Sequence, residues 1–221
     1  MPTRYPLLFW DLDGTLTDPK EGITKAVRHA LVRLGISPPA EDALTPFIGP
    51  PLAQSFQAFF GLDPAGVRQA IGYYREYFEA QGIFENKVYP EIPPLLESLA
   101  ALGQRMAVAT SKPQPMAERI LDHFDLSRYF YAVYAADMDE GRRSTKREVL
   151  ALAVDGLSPA QKASAAMIGD HPVDVEAAHH HGLTAIAVLY GYGDPDGLRS
   201  AGPQHLAASV PDLAPLLIRD A

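Results

Sequence analysis

Leu7-Leu8-Phe9-Trp10-Asp11-Leu12-Asp13-Gly14-Thr15-Leu16 decides the reading of the fold. Four consecutive apolar residues stop at two carboxylates and a glycine, the pattern of a strand buried on both faces that delivers acids at its C-terminal end. Further apolar runs follow at Arg105 to Thr110, Ala132 to Ala136, Ala165 to Gly169 and Ala185 to Leu189. Helical patterns alternate with them at Pro93 to Leu102, Pro115 to Phe124, Thr145 to Val154 and Val173 to His181. Strands alternating with helices of this length predict an α/β fold with a parallel sheet covered by helices on both faces.

Between the first strand and the rest of the sheet, the stretch from Thr17 to Val88 reads as purely helical. Ile23, Ala26, Val27, Ala30, Leu31 and Leu34 recur at helical spacing and Gly35 closes the stripe. Leu52 to Phe60 and Pro64 to Gln81 supply two more helices, separated by Gly61 and Asp63-Pro64. Residues 1–16 and 89–221 are therefore expected to form the α/β core, and residues 17–88 a small helical insertion. Ser37-Pro38-Pro39 and Gly49-Pro50-Pro51 are short enough to be turns. Phe59-Phe60, Tyr73-Tyr74 and Tyr77-Phe78 read as packing of the helical part rather than as a ligand box.

Composition narrows the chemistry. The 221 residues can bury a real core, and the hydrophobic share of 47% and charged share of 21% are those of a globular protein. With no cysteine, thiolate zinc sites, disulfides and cysteine nucleophiles are excluded. Nineteen Lys and Arg against twenty-seven Asp and Glu give a net charge of −8 without a basic stripe, which disfavours nucleic acid. No stretch approaches a membrane span, and Met1 to Trp10 is too short for a signal peptide, so a cytoplasmic location is expected. His179-His180-His181 point in different directions on a helix and read as a helix end, not a metal site.

In an open parallel sheet, ligands bind outside the carboxyl ends of the strands. The residues there are Asp11 and Asp13, Thr110 and Ser111, and Gly169-Asp170 with Asp174. Carboxylates converging on one edge repel and call for a cation, and with only hard oxygen ligands available Mg²⁺ is the natural one. Adding the hydroxyl of Thr110 and a lysine, Lys146, at a helix start gives a site suited to phosphate. Asp11 is then placed to attack phosphorus and Asp13 to move the leaving-group proton.

Asp11-Leu12-Asp13-Gly14-Thr15-Leu16, Thr110, Lys146 and Gly169-Asp170 with Asp174, in that order, resemble the motifs of the haloacid dehalogenase superfamily. Thr17 to Ile23, Phe47-Ile48-Gly49-Pro50-Pro51, Thr110-Ser111-Lys112-Pro113 and Val188 to Gly193 resemble its branch of phosphoglycolate phosphatases and 5′-nucleotidases. The resemblance implies a Rossmann-like core with a helical cap inserted after the first motif. It makes Asp11 the nucleophile that forms an aspartyl-phosphate and Asp13 the general acid and base. Asp13 would also lend its backbone carbonyl to Mg²⁺, Asp11 and Asp170 would ligate the metal, and Asp174 would join the metal site directly or orient a ligand. Thr110 and Lys146 would hold the phosphoryl group, with Gly14, Thr15 and Ser111 beside it.

Lys20 near the cap hinge and the Phe47, Ile48 and Gly49 turn are the candidate substrate contacts of the cap. His171 departs from what relatives more often carry in a way that alters the surroundings of the metal site without touching a ligand. Ala53 and Glu91 depart in or near the cap, which bears on the substrate and not on the reaction class. The expected activity is Mg²⁺-dependent hydrolysis of a small phosphorylated metabolite. A phosphomutase and a non-catalytic phosphate-binding module are the alternatives. Whether the chain is a monomer or a homodimer is open at this point.

Overall fold

A computed structural model describes residues 3–138 and 143–219. The chain divides into two compact units, a core of Met1–Asp18 with Val88–Ala221 and a helical unit of Pro19–Lys87.

The core begins with β1 (Leu7–Trp10), all of it buried. The chain leaves the core through β2 (Thr17–Asp18). The helical unit holds α1 (Lys20–Arg33), a 3-10 helix over Glu41–Phe47, α2 (Leu52–Phe60), α3 (Pro64–Ala80) and a 3-10 turn at Gly82–Phe84. β3 (Lys87–Val88) then pairs with β2, so the stretch expected to be purely helical is bracketed by a short two-stranded ribbon. The Glu41–Phe47 turn of 3-10 helix was not expected either, because Pro46 inside it removes a donor and the segment carries no helical repeat.

Back in the core come α4 (Ile92–Ala101), β4 (Arg105–Pro113), α5 (Gln114–His123), β5 (Val133–Ala136), α6 (Lys146–Ala153) and α7 (Pro159–Ala163). They are followed by β6 (Ala165–Gly169), α8 (Pro172–His181), β7 (Thr184–Val188), α9 (Pro195–Ser200), β8 (His205–Ala207) and α10 (Leu213–Leu217). The six-stranded sheet has the order β5-β4-β1-β6-β7-β8 and its neighbouring strands all run parallel. This is the predicted α/β architecture. Its edge strand β8 and the helices α7, α9 and α10 are too short to carry a periodic signal.

Strand order fixes where chemistry can occur. The chain runs outward from β1 through β4 to β5, then crosses back to β6 on the other side of β1 and runs outward again. The crevice at the C-terminal end of β1 is therefore the switch point of the sheet, where two crossovers diverge and leave a gap. Trp10 pairs in register with Val108 and with Ile168, so the next residues on all three strands sit on one level: Asp11, Ala109 and Gly169. Phe9, Ala107, Val149, Leu150, Met167 and Val175 form part of the buried cluster on which this edge rests.

In the helical unit, Ile23, Ala26, Val27, Ala30 and Leu31 of α1 are buried and α1 packs on α3, whose Ala70, Tyr74 and Phe78 are buried in turn. No helix among the described residues is long and apolar enough to cross a membrane.

Candidate active site

β1 ends with Asp11, whose backbone N–H donates to Ile168 O on β6 at 2.9 Å. The following turn folds back on Leu12, whose carbonyl accepts from Leu16 N at 2.9 Å and from Thr17 N at 3.0 Å. Gly14 makes this turn with a φ of +80°, and a Cβ there would lie 2.1 Å from Asp170 Oδ2. Glycine thus does two things at once: it accepts the left-handed backbone and lets the carboxylate of β6 approach that of β1. Gly191 is a second such approach, since a Cβ there would lie 2.4 Å from the same Asp170 oxygen.

Asp170 is held from two sides, its Oδ1 accepting from the Thr15 hydroxyl at 3.3 Å and its Oδ2 from Tyr192 N at 2.8 Å. The Tyr190 hydroxyl donates to Thr15 O at 2.9 Å. Asp174 lies in the first turn of α8, where its Oδ2 accepts from His171 N at 3.1 Å while His171 Nδ1 accepts from Val173 N at 3.4 Å. This reciprocal cap fixes the start of the helix and the direction of Asp174 together.

Lys146 is the first residue of α6, whose start is fixed by a capping box between Thr145 and Glu148. Its ammonium lies 2.6 Å from Asp11 Oδ1 and 2.8 Å from Asp174 Oδ1, and donates to Ala109 O at 3.0 Å. The contact to Asp174 is an ion pair that lacks hydrogen-bond alignment. Burial disfavours the charge of Lys146, but the two carboxylates outweigh it and raise its pKa.

β4 runs on to Pro113, beyond the expected end at Thr110, because its register with β5 shifts between Thr110 and Pro113 so that Pro113 still pairs with Ala136. Inside that irregularity Lys112 N donates to Thr110 Oγ1 at 3.3 Å. Lys112 is buried, and its Nζ lies 2.5 Å from Asp13 Oδ2. Asp13 Oδ1 is buried without a hydrogen-bond partner.

Asp11, Asp13, Asp170 and Asp174 are all buried, as are Lys112 and Lys146. The carboxylates therefore exceed the ammonium groups by two negative charges. Asp170 shows the consequence: burial first, then the charges of Asp11 and Asp174, push its carboxyl up to about 8. Asp174 also shifts upward, burial outweighing the attraction of Lys146. Asp11, Asp170 and Asp174 each offer one carboxylate oxygen, and these oxygens lie within 4.8 Å of one another. An all-oxygen cluster of this span, doubly negative with Lys146 once all three carboxyl groups are ionised, fits a divalent hard cation such as Mg²⁺.

Of the residues expected from sequence, Asp11, Asp170, Asp174 and Lys146 meet in this cluster, with Thr15 bonded to Asp170. Thr110 and Asp13 are joined through Lys112, to which the sequence reading gave no role; a buried lysine at a strand end is the signal that could have marked it. Tyr190 and Tyr192 were likewise missed. Ser111 is half-buried in the β4 irregularity.

The cap candidates have local partners of their own. Lys20 pairs with Asp42 at 2.7 Å. Phe47 is buried and its ring packs on Phe56, Phe59 and Phe60. Ile48 is buried and Gly49 turns the chain with a φ of +104°.

Residues 8–188 match the model of the haloacid dehalogenase-like hydrolase family. The chain belongs to that family. This haloacid dehalogenase-like hydrolase is 44% identical over 214 residues to a protein of Pseudomonas aeruginosa named 5′-nucleotidase, covering 97% of this chain and 96% of the relative. It is 40% identical over 190 residues to a protein of Mycobacterium tuberculosis named tyrosine-protein kinase PtkA, covering 86% of this chain and 64% of that longer relative. Among solved structures, one described as a predicted phosphatase from Clostridium acetobutylicum superposes with a TM-score of 0.89 at 42% identity, covering 95% of this chain and 96% of that one.

Proposed function

We propose that this hydrolase is a Mg²⁺-dependent phosphatase acting on small phosphomonoesters, nucleoside 5′-monophosphates foremost, through an aspartyl-phosphate on Asp11. The observation that carries the reading is the convergence of Asp11, Asp170 and Asp174 with Lys146 at the switch point of the sheet, beside a buried Asp13 oxygen without a partner. The name of the Pseudomonas relative supports the substrate class. Phosphoglycolate is the next ester to test.

Lys146 grips Asp11 Oδ1, which fixes the carboxylate and leaves Oδ2 to attack phosphorus. The N–H of Lys112 occupies Thr110 Oγ1 as an acceptor, so the Thr110 hydroxyl proton is available to a phosphoryl oxygen. Asp13 Oδ1 gives its proton to the leaving oxygen and then takes one from the water that hydrolyses the phospho-enzyme. Asp11, Asp170 and the Asp13 carbonyl would hold the Mg²⁺, with Asp174 steering Lys146, and the bound ion supplies charge neutralisation for the anionic phosphoryl group.

The test is phosphate release from 5′-AMP, phosphoglycolate and p-nitrophenyl phosphate, with Mg²⁺ and with EDTA, for the wild type and Asp11→Asn. Activity only with Mg²⁺ and only with Asp11 is expected. Full activity in EDTA or in Asp11→Asn defeats the mechanism, and isomerised sugar phosphate with little free phosphate assigns a phosphomutase instead. The name of the mycobacterial relative supports one further reading, transfer to a tyrosine hydroxyl. Label passing from ATP to a tyrosine-containing polypeptide, at a rate above that of phosphate release, selects it.

A further inference from the structure

Asp13 reaches the site in an unusual state of support. One of its oxygens, Oδ2, is taken by the buried Lys112 ammonium at 2.5 Å, and the other, Oδ1, is buried with no hydrogen-bond partner. A carboxyl group held by one oxygen cannot rotate freely, because turning about its terminal bond would break the contact to Lys112. Oδ2 can keep accepting that hydrogen bond whether or not Oδ1 carries a proton, since the carbonyl oxygen of a neutral carboxyl group also accepts. Lys112 is itself fixed, its backbone N–H donating to Thr110 Oγ1 within the irregular end of β4.

We propose that Lys112 is a positioning residue for leaving-group protonation: it clamps Asp13 by Oδ2, so that Oδ1 alone loses and regains the transferred proton. The proposal rests on the phosphatase reading above and adds to it a residue that acts through the acid Asp13 and not through the nucleophile. When the ester bond breaks, the electron pair stays on the leaving oxygen, and the proton on Asp13 Oδ1 passes to it. A clamp on the acid therefore matters in proportion to how much the leaving oxygen needs that proton. An alkoxide needs it greatly, and p-nitrophenolate hardly at all.

The experiment compares Lys112→Met with wild type, both with saturating Mg²⁺, on 5′-AMP and on p-nitrophenyl phosphate. The readout is kcat/KM, which reports only the steps up to formation of the phospho-enzyme and excludes the hydrolysis common to both esters. On 5′-AMP a loss of about 10²-fold or more is expected, within the range for general acid catalysis, against a loss under about tenfold on the aryl ester. Lys112→Gln, which keeps a neutral donor, should recover part of the difference, and it replaces Lys112→Met if that variant fails to fold. Equal losses on the two esters, or no loss on either, overturn the proposal while leaving the phosphatase reading intact. A wild type that hydrolyses neither ester overturns both.

Discussion

The Lys146 ammonium sits 2.6 Å from Asp11 Oδ1, joining the first residue of α6 to the first residue after β1. Both side chains are almost wholly withdrawn from water, at 2% and 6% exposure. Removing the cation leaves Asp11 and Asp174 facing each other without neutralisation. Lys146→Met should lower stability by about 3–5 kcal/mol in metal-free buffer, the cost of breaking a buried ion pair from one side. Urea unfolding measures it, and Mg²⁺ should restore part of the loss without restoring phosphate release. Unchanged stability without metal would mean that the carboxylates are already neutral.

Proton linkage gives a prediction of defined sign. Asp170 is pushed up to about 8, while an unfolded Asp titrates near ~3.9. Between those values the folded chain keeps a proton that the unfolded chain has released, so rising pH destabilises the fold across that interval. Asp174 shifts in the same direction. In EDTA the thermal midpoint should therefore fall from about pH 5 to about pH 8. Mg²⁺, which competes with that proton, should raise the midpoint more at the upper end. Differential scanning fluorimetry across the range reads both trends, and a flat profile in EDTA refutes the assignment.

Gly191 admits Asp170 by having no side chain, since a Cβ would fall 2.3 Å from the Asp170 Cβ and 2.4 Å from Gly14 O. Gly191→Ala must displace the carboxylate that Tyr192 N supports. The Mg²⁺ concentration for half-maximal phosphate release should rise by about 10- to 100-fold, the usual effect of disturbing the support of a metal ligand. A metal titration of the variant checks it, with the thermal midpoint in EDTA as the control for folding.

Thr145 caps the helix that carries Lys146, its hydroxyl accepting from Glu148 N at 3.3 Å while Glu148 accepts from Thr145 N at 3.0 Å. Thr145→Ala should cost about 1 kcal/mol of stability. Because Lys146 stands at the very start of α6, fraying of that turn should also raise KM. Urea unfolding and steady-state kinetics on one preparation test the pairing of the two effects.

Much of the core was legible because its elements are long or continuously apolar. β1 and β6 announce themselves as runs without a polar residue, and each is followed at once by an acid, Asp11 and Asp170. A three-residue strand such as β8 has no repeat to detect, and the end of β4 is set by its partner Ala136 rather than by its own composition. The same division runs through the site. Carboxylates after strands can be read from order alone, whereas Tyr192 contributes a backbone N–H, a group every residue but proline carries. The packing of Phe47 was illegible for the opposite reason: its place in a short turn carries no periodic signal, and only the fold brings its ring against Phe56, Phe59 and Phe60.

Asp11, Asp13, Lys112, Lys146, Asp170 and Asp174, gathered at the head of β1, all belong to the core unit. A substitution in the inserted helices therefore alters none of these six side chains. Substitutions can accumulate from generation to generation between residues 19 and 87 without replacing a single member of that cluster.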